Sequence, residues 1–216
     1  MPICNILESF LICFSISLNT MTVILSFNLL PDKITSVEKL ISVPLFAPVL
    51  HNFPKGTKLP NISLPNKDGV LLKLNRNDTF RLVIFFYSLT GNPKKKLPIN
   101  WEKIPGAKGC TFENLSFRDN YEKLIELNAV PIGISTQTIE DIKEMSERLK
   151  INFDILSDSN LKCSNKLSLS TFSVSGKTYI RRSTIIVEKN IIKKIFYPIL
   201  SIEKHIKEII EWLKKN

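Results

Sequence analysis

The sequence predicts an α/β sandwich, a central sheet covered by helices on both faces. Three observations carry this. From residue 57 onward, short apolar runs alternate with stretches of helical spacing. Two of the runs, 81–87 (RLVIFFY) and 130–135 (VPIGIS), are rich in β-formers and short enough to be buried strands. The chain closes on an amphipathic helix over 201–215, with Ile202, Ile206, Ile209, Ile210 and Leu213 on one side.

The elements follow in order. Residues 69–74 (GVLLKL) come after a turn signal at Asn66-Lys67-Asp68-Gly69 and suit a strand. The 81–87 run is a central strand. Residues 88–109 form a long loop punctuated by Gly91, Pro93, Pro98, Pro105, Gly106 and Gly109; a loop of that length inside a compact domain is usually functional or disordered. Residues 110–128 have helical spacing, with Leu115, Tyr121, Leu124 and Ile125 on roughly one side. A second buried strand at 130–135 leads to a helix over 138–150. A short strand (153–156) and a short helix (158–167) come next. Residues 182–188 and 191–197 make a hairpin around Lys189-Asn190.

The first 31 residues are of another kind. Residues 9–30 carry no charge, roughly the length a membrane-spanning helix needs. No Lys or Arg precedes them, as one would in a secretory signal; the first basic residue is Lys33. The segment reads as an apolar leader, a membrane anchor, or the product of a start placed too early, with Met21 or a later residue as the true beginning. As an anchor it would touch membrane and leave the bulk of the chain on the cytoplasmic side; as a leader it fits a cytoplasmic or organellar destination. Residues 32–56, with Pro44, Pro48 and Pro54, read as a linker. The domain proper runs from 57 to 216.

Composition narrows the function classes. A 44% hydrophobic chain of 216 residues is not mostly disordered. The formal net charge of +10 could favour nucleic acid or anionic membrane, but the basic residues are scattered. The one short run, Lys94-Lys95-Lys96, has no interleaved aromatics, so a solvated basic surface is expected and no specific nucleic-acid partner. The cysteines Cys4, Cys13, Cys110 and Cys163 form no CxxC pair, and His51 and His205 are far apart. Zinc needs closely spaced Cys and His ligands, so neither metal nor cofactor is expected.

Cys110 has the special setting. It follows a buried strand and a Gly/Pro loop, and it opens a helix. Free N–H groups and the helix dipole favour an anion there, which predicts a lowered thiol pKa and a reactive thiolate. Gly109 lets the backbone approach a substrate closely. A lone cysteine is ordinarily a small core residue, and the local setting alone leaves packing and catalysis both open. Arg181-Arg182 open a predicted strand. Near Cys110 an arginine would hold the sulfur ionised and polarise an oxygen; otherwise it would be a surface ion-pair partner.

These residues carry a resemblance. The stretch Ile104-Pro105-Gly106-Ala107-Lys108-Gly109-Cys110-Thr111, followed by Phe117-Arg118-Asp119, resembles the peroxidatic-cysteine region of the peroxiredoxins. It is most similar to their bacterioferritin-comigratory (PrxQ-like) branch of AhpC/TSA-type redoxins. Gly133-Ile134-Ser135-Thr136, Leu156-Ser157-Asp158 and Arg182-Ser183-Thr184 match that branch in the same order. Thr90-Gly91, Trp101 and Ile104-Pro105-Gly106 resemble a redoxin subgroup with an insertion before the cysteine. The resemblance implies a thioredoxin-like fold with a mixed sheet and thiol peroxidase activity on hydrogen peroxide and organic hydroperoxides. Cys110 would attack the O–O bond and become a sulfenic acid. Arg182 and backbone N–H groups around Gly109, Cys110 and Thr111 would hold the peroxide.

Two positions depart from the family. Ala107 stands where most members have a Thr or Ser, with Lys103 in place of a Pro; Thr111 or Thr90 could supply the missing hydroxyl. Leu115 stands where many of the branch carry the resolving cysteine. Either Cys163 resolves after local unwinding, or an outside thiol (thioredoxin, glutaredoxin or glutathione type) does; the one-cysteine route is the expectation. The reading from another class is a degenerate redoxin that binds a partner or nucleic acid without turnover. Monomer and homodimer are both open.

Overall fold

The computed structural model describes residues 56–76, 78–199 and 201–216 in full and, within residues 3–44, the backbone of four strands. These are β1 (Ile3–Leu7), β2 (Phe10–Ser17), β3 (Thr20–Phe27) and β4 (Lys39–Pro44), paired in sequence order as an antiparallel meander. The uncharged stretch 9–30 therefore holds two strands, where its length alone suited a spanning helix. Among the described residues, no helix is long and apolar enough to cross a membrane. Residues 1–47 and 48–216 are separate compact units. Apart from β4 and Gly56, the expected linker 32–56 lies outside the described residues.

The second unit is built on a five-stranded sheet whose strands lie side by side in the order 191–196, 183–188, 81–86, 129–135 and 154–157. Its strands are β7 (Arg81–Phe86), β8 (Ala129–Ser135), β9 (Asp154–Ser157), β12 (Ser183–Glu188) and β13 (Ile191–Phe196). β7, β8 and β9 run parallel, and β12 and β13 are antiparallel additions, so the sheet is mixed. Parallel neighbours need crossover connections, and helices supply them. α1 (Cys110–Asp119) and α2 (Tyr121–Glu126) lie between β7 and β8, and α3 (Ile139–Arg148) between β8 and β9. α4 (Lys162–Lys166) follows β9, and α5 (Ile202–Lys215) ends the chain.

Side chains alternate across the strands and divide the core into two layers. Val83, Phe85 and Tyr87 face one layer with Cys110 and Phe117 of α1, Leu124 of α2, Ile142 and Met145 of α3, and Ile206, Ile209 and Leu213 of α5. Leu82, Ile84 and Phe86 face the other, with Leu59, Ile62, Leu74 and Cys163 of α4. Helices thus cover both faces unequally. The side of α4 is completed by β5 (Ser63–Pro65) and its antiparallel partner β6 (Leu71–Lys73).

Gly133 fixes α1 on the sheet. A Cβ there would meet Phe85 Cζ at 2.8 Å and Ile155 Cδ1 at 2.5 Å. The space left by the glycine admits the Phe85 ring, which stacks on Phe117 with centroids 4.0 Å apart. Phe117 lies two turns beyond Cys110 on the same helix face, so this stack also sets where the cysteine stands.

Three expectations need correction. The helix predicted over 110–128 is two helices, broken at Asn120. The buried stripe of α1 is Cys110, Glu113, Asn114 and Phe117; of the predicted apolar set Leu124 is buried, Leu115 and Tyr121 are half-buried and Ile125 is exposed. The stripe contains two polar residues because this face closes over a polar site. A second hairpin, β10 (Thr171–Val174) and β11 (Lys177–Ile180), was not predicted. Its turn residues Ser175 and Gly176 both have positive φ, as a two-residue hairpin turn requires.

Candidate active site

Gly109, with φ 94°, is the N-cap of α1, and Cys110 is the first helical residue. Few residues other than glycine adopt that backbone conformation. The site is completed from the far side of β7. Arg182 immediately precedes β12 and is buried at 6% exposure. Its Nη2 donates to Cys110 Sγ at 3.2 Å and to the Lys108 carbonyl at 2.9 Å. Its Nε donates to Glu113 Oε2 at 2.8 Å, a buried ion pair. The Cys110 thiol donates to the Ala107 carbonyl at 3.6 Å. Asn114 Nδ2 donates to the Cys110 carbonyl at 2.9 Å and steadies the first turn.

The electrostatics differ from the helix-start expectation. Cys110 is 1% exposed, and burial pushes its thiol pKa up. The Arg182 charge opposes this, Glu113 reinforces it, and backbone groups of Leu89 and Ser88 favour the anion. Desolvation wins in this closed arrangement, so the lowered pKa expected from helix position alone does not hold. Burial also lifts Glu113 to about 7, against the pull of Arg182. Tyr87, at the end of β7, is raised mainly by burial and also feels Cys110 and Glu113. On α5, His205 is lowered to about 4 by burial and by Arg182. Its Nε2 shares a 2.8 Å hydrogen bond with Thr184 Oγ1.

The predicted residues divide clearly. Cys110, Arg182 and Gly109 come together; an added Cβ on Gly109 would lie 3.9 Å from Arg182 Nη2 and would collide with Ile202 of α5. Thr111 follows Cys110 on α1, half-exposed. Thr90 donates its hydroxyl to Gln137 Oε1 at 2.8 Å, so that group is already engaged. Ala107 is buried with Trp101 and Tyr179, where the loop before α1 meets the β10–β11 hairpin. Cys163 is not brought to Cys110. It is buried on the opposite face of the sheet, with its backbone N–H on Asp158 Oδ1, and its pKa is well above the usual thiol range because of burial and Asp158. A disulfide needs Cα atoms within about 7 Å, which the intervening sheet prevents without local unfolding.

Glu113 and His205 escaped the sequence reading. The available signal for Glu113 was its place three residues after Cys110, on the same helix face. His205 gave none, because its meaning depends on the packing of α5.

Comparison with known proteins agrees with this architecture. Residues 102–195 match the AhpC/TSA family. The chain is 29% identical over 161 residues to Peroxiredoxin Q, chloroplastic, of Oryza sativa subsp. japonica, covering 74% of this chain and 66% of that protein, just under two thirds of its length. It is 29% identical over 164 residues to Peroxiredoxin Bcp of Bacillus subtilis (strain 168), covering 74% of this chain and 94% of that one. Peroxidoxin BcpB from Mycobacterium tuberculosis shares the fold with a TM-score of 0.63 at 20% identity, over 76% of this chain and 97% of that one. Xanthomonas campestris Peroxiredoxin Q gives 0.59 at 18%, over 73% and 96%. The fold is thioredoxin-like, a mixed sheet flanked by helices.

Proposed function

We propose that the chain is a thiol peroxidase acting on hydrogen peroxide and organic hydroperoxides, because residues 102–195 match the AhpC/TSA family and the chain is similar in sequence and fold to the peroxiredoxins called Q and Bcp. The observation that carries this is the 3.2 Å contact of Arg182 Nη2 with Cys110 Sγ at the first turn of a helix. A guanidinium there stabilises the thiolate and meets the charge that develops on the leaving oxygen. Cys110 takes the distal oxygen of the peroxide and becomes a sulfenic acid.

Recycling uses an outside thiol of the thioredoxin, glutaredoxin or glutathione type. It condenses with the sulfenic acid to a mixed disulfide and water, and a second thiol releases Cys110. What supports an external donor is the burial of Cys163 on the other face of the sheet and its raised pKa, together with a leucine at 115, five residues past Cys110. Gly109 and the N–H of Thr111 border the peroxide.

The test is peroxide consumption with mass spectrometry under non-reducing conditions. Cys110→Ser should abolish consumption, whereas Cys163→Ser should leave single-turnover oxidation intact. One equivalent of peroxide should yield a sulfenic acid on Cys110. Normal turnover by Cys110→Ser would defeat the assignment, and an intramolecular Cys110–Cys163 bridge would defeat the one-cysteine route. A Cys110 inert to peroxide in a protein that binds DNA in a salt-sensitive way would favour a binding role instead.

A further inference from the structure

The buried site holds two acids and one cation. Cys110, Glu113 and Arg182 are 1%, 1% and 6% exposed, and Arg182 bonds both acids. With both acids ionised the buried cluster would carry a net negative charge, which is costly away from water. With one proton shared between them, a single anion faces a single cation. Glu113 lies one turn from Cys110 on the same helix face. Its Oε2 is taken by Arg182, and its Oε1 is buried with no hydrogen-bond partner among the described residues. That oxygen is the open acceptor in the cluster. The titratable groups that interact with Glu113 are Arg182 from the start of β12, Cys110 on α1 and Tyr87 from the end of β7; His205 on α5 feels the charge of Arg182. The hydroxyl usual in related sites is absent at Ala107, whose carbonyl alone is turned to the sulfur.

We propose that Glu113 takes the proton Cys110 must lose and returns it to the leaving oxygen of the peroxide. The return step rests on the peroxidase reading above. The Cys110 S–H proton passes to Glu113 Oε1 through one bridging water. The sulfur then attacks the distal oxygen of R–O–O–H. An S–O bond forms and the O–O bond breaks; the sulfur is oxidised by two electrons to the sulfenic acid, and the peroxide is reduced to RO⁻. The alkoxide takes the proton from Glu113 and leaves as the alcohol, or as water when R is hydrogen. The carboxylate is restored and Arg182 is paired throughout.

The experiment is Glu113→Gln, read two ways. Glutamine keeps an acceptor for Arg182 but takes no proton. With no competing anion, Cys110 should ionise at lower pH, so the midpoint of its alkylation by iodoacetamide should fall by about one unit, roughly a tenfold gain in rate on the acid side. Oxidation by hydrogen peroxide at matched thiolate fraction should fall by about 10²-fold or more, because the leaving oxygen has lost its donor. A purely structural role would not move the two in opposite directions. An unchanged alkylation midpoint, or an unchanged oxidation rate per thiolate, overturns the proposal. A wild type that alkylates as expected but ignores peroxide overturns the peroxidase reading, and the return step with it. Should Glu113→Gln not fold, the wild type serves. Its oxidation rate per thiolate should fall as pH rises and Glu113 loses the proton it returns to the leaving oxygen; a rate per thiolate that is flat with pH overturns the proposal.

Discussion

Arg182 does three things with one side chain. It touches the sulfur, the Lys108 carbonyl before it and the carboxylate beyond it. A planar guanidinium can serve three directions at once, and an ammonium on a flexible stem cannot. Arg182→Lys keeps the charge but gives up the fork. Single-turnover oxidation of Cys110 should slow by roughly 10²-fold, the cost of one misplaced donor at developing charge. Stopped-flow fluorescence or quenched alkylation would measure it, and a rate within a factor of two of wild type would count against a precise role for the fork. The sequence already pointed to Cys110 and Arg182, because a cysteine after a Gly/Pro loop and an arginine at a strand start are local patterns. It did not point to Glu113. A glutamate in an exposed-looking helix reads as solvent-facing until the tertiary fold buries it, and the same burial reverses the thiol shift expected from the helix start.

At the scale of elements, the first turn of α5 rests on the first turn of α1. Gly109 is both left-handed and tight against Ile202, so two separate penalties await any side chain there. Gly109→Ala should destabilise the fold by more than about 2 kcal/mol, with about 1–2 from the backbone and the rest from overpacking. In an Ile202→Ala background only the backbone part should remain. A double-mutant cycle by urea unfolding would then show a coupling near 1 kcal/mol; strictly additive losses would mean that α5 yields freely over the site. The helix periods of α3 and α5 were legible because their apolar faces meet the sheet directly. The β10–β11 hairpin was not, although Ser175-Gly176 is a turn signal, because among the described residues its strands form a two-stranded sheet of their own and pack on the loop that holds Trp101 and Ala107. There Trp101, Phe172 and Tyr179 pack ring against ring. Contacts that join a loop to a distant hairpin leave no periodic trace in either segment.

Across the whole molecule, two buried groups on the same face of the sheet make stability respond to pH in opposite senses. His205 is lowered from 6.5 to about 4 in the fold, so the unfolded chain binds its proton first as pH falls. Its contribution is present above about pH 6.5 and lost towards pH 4. Glu113 is raised from 4.5 to about 7, so the folded chain holds its proton longer as pH rises. Its contribution is present below about pH 4.5 and lost through pH 7. Each shift corresponds to roughly 3 kcal/mol, and the windows overlap, so in the wild type the two slopes largely cancel between pH 4.5 and 6.5. Cys110 is also raised, from a value already above this window. Single variants should separate the slopes. His205→Gln removes the rising one, so its urea midpoint relative to wild type should fall as pH goes from 4.5 to 7. Glu113→Gln removes the falling one, and its midpoint relative to wild type should rise over the same range. Unfolding curves at closely spaced pH values would decide it: parallel pH profiles for both variants and the wild type would mean that neither group titrates differently in the folded and unfolded chain.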